Sequence, residues 1–151
     1  MTVQTNAGTS LAIVSGAPAT NNQAGFEALS FTNVGEIVSI GEHGAAYALV
    51  THSPLDSRRV KKFKGSVNDG SIAVSLGMDL TDAGQTALVA GADGANVDAD
   101  HSIRIRYQDN SVEYFTAKVM SYTRNPGSID SIVAANTTLE VTNQIVDVAA
   151  P

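Results

Sequence analysis

The chain of 151 residues contains no cysteine, which excludes disulfide frameworks, thiolate zinc sites and cysteine nucleophiles together. Tryptophan is also absent and aromatic residues reach only 5%, a poor supply of flat rings for stacking bases or sugars. Charged residues are 16%, against roughly a quarter in an average globular domain. No charged side chain occurs from Met1 to Phe26. With no basic segment ahead of its first apolar run, the chain is expected to carry no secretory signal. That run, from Leu11 to Val14, is far too short to span a bilayer, so no membrane partner is expected.

Catalytic and ligand-binding signatures are missing as well. No Gly-x-x-x-x-Gly-Lys-Ser/Thr run and no Gly-x-Gly-x-x-Gly occurs, so the glycines lack the spacing that aims backbone N–H groups at phosphates. The nucleophile elbow Gly-x-Ser-x-Gly is absent. His43, His52 and His101 show neither H-x-E nor H-E-x-x-H spacing and read as loop residues. Asp93, Asp98 and Asp100 faintly suggest a calcium loop, but its twelfth position is Arg104 where a bidentate Glu is needed. Asn136-Thr137-Thr138 matches a glycosylation sequon, which carries no weight without a secretory signal. No enzyme activity, metal or cofactor is expected.

What the chain does have is 43% hydrophobic residues, enough for one modest core, and an uneven charge. Five of its nine basic residues (Arg58, Arg59, Lys61, Lys62 and Lys64) fall in one seven-residue window without an acid. The window carries +5, and the four basic and fifteen acidic side chains outside it leave −11, for a net −6. One reading is a solvated basic loop or edge strand. The other is a positive prong that meets an acidic surface, on another protein or on a second copy of the chain. The acidic remainder argues against a nucleic acid as its target.

Three regions are expected along the chain. Residues 1–30, rich in Thr, Asn, Ala, Gly and Ser, read as an extended arm or weakly structured first segment. Residues 31–143 form the body, and residues 144–151 a tail. Within the body, strands are predicted at Gly35–Ile40 and Ala46–Thr51, then a loop or projecting hairpin over about 53–67 that contains the basic window and Phe63. Asn68-Asp69-Gly70-Ser71 turns into a strand in which Ile72, Val74, Leu76 and Met78 alternate with small residues. One helix follows. Asp82 is its predicted N-cap, Gln85 stands at the capping-box spacing, and Leu88 and Val89 belong to its apolar side. A hairpin of Ser102–Tyr107 and Val112–Tyr122, then one or two strands within Ile129–Val141, complete a mainly β, antiparallel domain with a flanking helix. Long polar extensions, little catalytic equipment and divided charge favour a structural or assembly protein.

The ordered set from Gly70 onward resembles the major tail tube proteins of long-tailed, non-contractile bacteriophages of the lambda type. The likeness is carried by Gly-Ser-Ile-Ala-Val-Ser-Leu (70–76), the helix Asp-Ala-Gly-Gln-Thr-Ala-Leu-Val (82–89) and Ile-Arg-Ile-Arg-Tyr-Gln-Asp-Asn-Ser-Val-Glu-Tyr-Phe-Thr-Ala-Lys-Val-Met-Ser-Tyr (103–122). Ser-Ile-Asp-Ser-Ile-Val (128–133) and Thr-Thr-Leu-Glu-Val-Thr (137–142) continue it, about half of the chain in all. The resemblance implies a tail-tube fold, an antiparallel β-sandwich or partial barrel with one flanking helix, assembled as hexameric rings stacked head to tail. It also implies a channel through which genomic DNA passes without specific contact, and tape-measure, terminator and tip proteins as partners. The expected location is the virion tail, with assembly in the bacterial cytoplasm.

On this reading the basic window is an inter-ring contact, with Arg58, Arg59, Lys61, Lys62, Phe63 and Lys64 as its residues, because head-to-tail stacking needs two complementary ends. Glu36, Glu42, Asp69, Asp79 and Glu113 are the candidate acids of a non-adhesive channel wall. A tail terminator, a baseplate hub protein or the inner tube of a contractile system is the second reading. A monomeric binding module is the third.

Overall fold

A computed structural model of the chain describes residues 2–151. Its elements in order are β1 (Ser10–Ser15), α1 (Gln23–Glu27), β2 (Thr32–Val34), β3 (Ile37–Ile40), β4 (Ala46–His52), β5 (Lys61–Asn68), β6 (Ser71–Gly77), α2 (Ala83–Gly91), β7 (His101–Arg106), β8 (Val112–Asn125), β9 (Ala134–Val141) and β10 (Val146–Val148). Eight strands form one antiparallel sheet in the order β2-β1-β7-β8-β9-β6-β3, with β10 also paired to β8. β4 and β5 form a separate two-stranded hairpin. The mainly β, antiparallel fold expected from the sequence is the one observed.

The sheet's two edges are neighbours in sequence. Only Gly35 and Glu36 separate β2 at one edge from β3 at the other, and so short a link spans no more than about 10 Å. The sheet must therefore curl into an open, partial barrel. Alternation explains the filling: Ile72, Val74 and Leu76 of β6, Ile103 and Ile105 of β7, Phe115, Ala117 and Val119 of β8 and Leu139 of β9 all point into one core.

α2 contributes Leu88 to that core and packs against β2 at Gly84, where a Cβ would overlap the Asn33 carbonyl and the Val34 Cα. Its N-cap is Asp82, as predicted, with one carboxylate oxygen accepting from the N–H groups of Gln85 and Gly35, each at 3.0 Å. Gln85 departs from the capping-box role. Fully buried, it donates from Nε2 to the carbonyls of Gly35 (3.1 Å) and Gly77 (2.9 Å), and its Oε1 accepts from the Asp79 N–H (2.9 Å) and the Tyr122 hydroxyl (3.0 Å). All four bonding positions of the amide are filled, and they join the β2–β3 link, the end of β6, β8 and the helix.

Within the segments expected as arm and tail, β1, α1 and β10 pack on the body. β1 lies between β2 and β7, with Leu11, Ala12 and Ile13 buried. α1, a short helix additional to the predicted one, seats Phe26 against Tyr114 in a stacked pair 5.3 Å apart, in a second small cluster on the outer side of β8. Small polar neighbours hide this from a compositional reading, since one alternating stretch and one aromatic suffice to anchor the segment. β10 pairs Val146 with Tyr114 beside the same cluster.

A candidate assembly surface

The basic window lies on the β4–β5 hairpin. Arg58 and Arg59 occupy the connection at its tip, and Lys61, Lys62, Phe63 and Lys64 lie on β5, so half of the segment expected as loop is strand. Every residue of both strands is exposed except the half-buried Gly65. Residues directly opposite in an antiparallel pair share a face, and the register therefore sorts the side chains. Leu49 pairs with Lys64, Thr51 with Lys62 and Tyr47 with Val67 on one face, where Lys64 Nζ stands 4.7 Å from the Tyr47 ring centre. Val50 pairs with Phe63 on the other. His52 pairs with Lys61 on that second face, so both faces combine exposed apolar side chains with lysine. A lone two-stranded hairpin is marginal in water, and this one leaves the apolar side chains of both faces in solvent.

The hairpin is held at its root by a polar hinge. Gly70 (φ +91°) and Gly44 (φ +148°) both take positive φ there, and a Cβ on Gly70 would stand 2.7 Å from the Gly44 carbonyl oxygen, so position 70 has no room for a side chain. Between β3 and β4, His43 places Nδ1 3.0 Å from the Gly41 carbonyl and Nε2 2.6 Å from Glu113 Oε2 on β8. With Nδ1 facing a carbonyl and Nε2 a carboxylate, the ring is a donor on both sides. The Glu113 hydrogen bond raises the His43 pKa against the opposing effect of burial. Burial pushes the Glu113 carboxyl up, but His43, by hydrogen bond and charge, together with the Tyr107 hydroxyl, outweighs it and holds the group below its ordinary value. Asp147 of β10 is raised by burial and then by Glu113, and Tyr107 is raised in the same order. His43, Asp69, Glu113 and Asp147 line one open cleft at the hairpin's root.

The five candidate wall acids do not share a surface. Glu42, Asp69 and Glu113 surround the hairpin root, Glu42 exposed and Glu113 committed to His43. Glu36 and Asp79 lie at the other end of β6, where the Glu36 carbonyl accepts from the Gly77 N–H (2.8 Å) and Asp79 accepts from the Thr81 hydroxyl (2.6 Å) and N–H (3.0 Å). Val89 is half-buried on α2, in a shallow groove with Tyr122 and Arg124. The hinge residues His43, Tyr107 and Asp147 carry no spacing signal in the sequence, because three separate elements bring them to Glu113.

No family model matches the chain, and no curated protein does either. Solved structures share its fold at low identity. A chain of the anti-feeding prophage baseplate aligns with TM-score 0.68 and 9% identity over 99% of this chain and 98% of its own. The SPP1 tail tube aligns with TM-score 0.60 and 16% identity over 93% and 76%. The cap that terminates the anti-feeding prophage tube aligns with TM-score 0.62 and 14% identity over 99% and 95%. The class defined is therefore a fold, one found in tube, cap and baseplate components of phage and phage-like particles.

Proposed function

We propose that the chain is a tail tube subunit, a structural virion protein that closes into hexameric rings and polymerises by stacking them head to tail. The observation that carries this reading is the β4–β5 hairpin, which projects apolar side chains from both faces and five positive charges from an otherwise acidic body. Such an element gains stability when neighbouring copies cover it. The shared fold supports the reading, and the baseplate relative is described as 6-fold symmetrised. The assignment to a long, non-contractile tail comes from the sequence resemblance over 70–142. Genomic DNA is the passenger of the channel, whose wall is net acidic so that phosphates slide past without adhesion. Of the candidate wall acids, Glu42 and Asp69 are proposed for that wall. Tape-measure, terminator and tip proteins are the remaining partners, and assembly takes place in the bacterial cytoplasm.

The likeness to a tube-terminating cap supports a second reading, a terminator or baseplate ring, or the inner tube of a contractile system. Negative-stain electron microscopy of the purified protein separates a tube subunit, of either tail type, from a terminator or baseplate ring. Tubes of uniform diameter support the subunit of a tube, and isolated rings support the terminator. A chain that stays monomeric at high concentration overturns both.

A further inference from the structure

The hairpin leaves the body at one end of β6 and the opposite end presents its complement. The chain enters the hairpin after Gly41, whose N–H bonds the Ala73 carbonyl, and returns at Gly70, whose carbonyl accepts from Val141. β6 then runs seven residues to Gly77, a rise of about 20 Å. Three acids belong to the segments at this end, Glu36 before β3, Asp79 after β6 and Asp130 in the β8–β9 connection. Glu36 and Ile132 flank Gly77, their side chains 3.6 and 3.8 Å from where its Cβ would stand. Asp79 follows two residues later, with Thr81 bonds that lower its pKa and keep it ionised. Asp130 is exposed on the β8–β9 connection.

That connection is braced, with the Ser131 N–H bonded to the Ser128 carbonyl (3.0 Å), their hydroxyls 3.0 Å apart, and Gly127 at φ +73°. It holds Ile129 98% and Ile132 82% exposed, on a single subunit an exposure of apolar surface with no internal purpose. Arg124, a basic side chain at this end, is drawn over the Tyr122 ring. The hairpin tip carries the matching set, with Arg58 and Arg59 beside the exposed Leu55 and Val60.

We infer that the Gly77 end is the docking surface for the hairpin tip of a second copy, with Glu36, Asp79 and Asp130 receiving Arg58 and Arg59, and Ile129 and Ile132 covering Leu55 and Val60. The inference rests on the ring-stacking reading and gives that stacking a residue-level partner. The contact is heterologous, one end against the other, so it propagates along a column of copies instead of closing a pair. It also gives Glu36 and Asp79 work at the axial end of the subunit, apart from any channel wall.

Because the chain lacks cysteine, introduced thiols report the contact directly. Leu55→Cys combined with Ile132→Cys should yield a ladder of disulfide-linked multimers on non-reducing gels after oxidation of the assembled protein. Leu55→Cys with Val97→Cys, another well-exposed position after α2, should yield none. In parallel, Glu36→Lys with Asp130→Lys should lose tubes while keeping the wild-type circular dichroism, and adding Arg58→Glu with Arg59→Glu should restore them. Equal ladders from both thiol pairs, or undiminished tubes from the acid reversal, overturn the docking surface and leave ring stacking standing. A wild-type chain that forms no polymer removes the stacking reading itself, and the docking surface with it.

Discussion

His43 Nε2 and Glu113 Oε2 stand 2.6 Å apart and tie the root of the projecting hairpin to β8 of the body. Both side chains are largely shielded, at 13% and 22% exposure, so the pair works at reduced dielectric. A hydrogen bond between charged partners here contributes about 1.5–3 kcal/mol. His43 has a raised pKa, so its contribution is complete below the ordinary histidine value of 6.5 and is lost as pH rises through the folded value. Glu113 has a lowered pKa, so its contribution is complete above the ordinary 4.5 and is lost as pH falls through the folded value.

The clasp is therefore strongest between about pH 4.5 and 6.5 and loosens on both sides. Protection factors of the amides in residues 41–45 and 69–71, exchange rates corrected for their intrinsic pH dependence, should be highest in that window and fall towards pH 8. Glu113→Gln should return the His43 titration, followed by NMR, towards its ordinary value. A His43 titration that Glu113→Gln leaves unmoved would show that the pair does not control the hinge.

Gln85 makes the opposite kind of bond, neutral and pH-independent but saturated. Replacing it by Leu preserves bulk and helix propensity while stranding the Asp79 N–H, the Gly35 and Gly77 carbonyls and the Tyr122 hydroxyl. Four orphaned, half-buried groups, near the low end of about 1–3 kcal/mol each, predict a loss of at least about 3 kcal/mol. For a domain of this size that lowers Tm by about 6–12 °C, as calorimetry would show. Gln85→Glu should cost no less, since its carboxylate has no N–H to offer the two carbonyls.

These two residues also mark where sequence reading succeeds and where it stops. Alternation made β6, β7 and β8 legible, because Ile72-Val74-Leu76 and Ile103-Ile105 bury one face at period two. The Asp82 cap was legible because it is a local bond. Gln85 stands at the spacing that would send its side chain back to Asp82, yet it turns to Gly35 and Gly77, which only the curled sheet brings within reach. β1 was hidden by its small polar neighbours, and its burial depends on pairing with β7, about ninety residues away. The basic cluster was visible as a count, whereas the apolar register on both faces of its hairpin and the hinge of His43, Glu113, Tyr107 and Asp147 come from tertiary placement.

Phe26 tests whether the first thirty residues are an integral part of the body. Its ring is fully buried and stacks on Tyr114, which also contacts Phe31. Phe26→Ala should cost about 3–5 kcal/mol if the cluster folds with the domain. Limited proteolysis should then cut within residues 16–31, ahead of any site in β6 to β9. A variant with unchanged Tm and unchanged cleavage would return this segment to the role of a loose arm.

The hairpin should behave in the reverse manner, mattering to assembly and hardly at all to the fold. Its side chains are exposed, and surface substitutions usually stay within about 0.5 kcal/mol. Reversing Arg58, Arg59, Lys61 and Lys62 to Glu should leave Tm nearly unchanged while abolishing polymerisation in sedimentation velocity. Val50→Ser with Phe63→Ser, which keeps all five positive charges, should weaken assembly too, because this pair supplies the apolar part of its face, beside His52 and Lys61. The two variants differ in their response to salt. Contacts between exposed charges weaken as the screening length falls from about 10 Å at 0.1 M to about 3 Å at 1 M, so wild-type tubes should become less stable as salt rises. What assembly the Val50/Phe63 variant retains rests more heavily on charge and should be the more salt-sensitive. Full polymerisation by the charge-reversed chain would show that the basic window is a solvated surface and that the apolar faces alone hold the copies together.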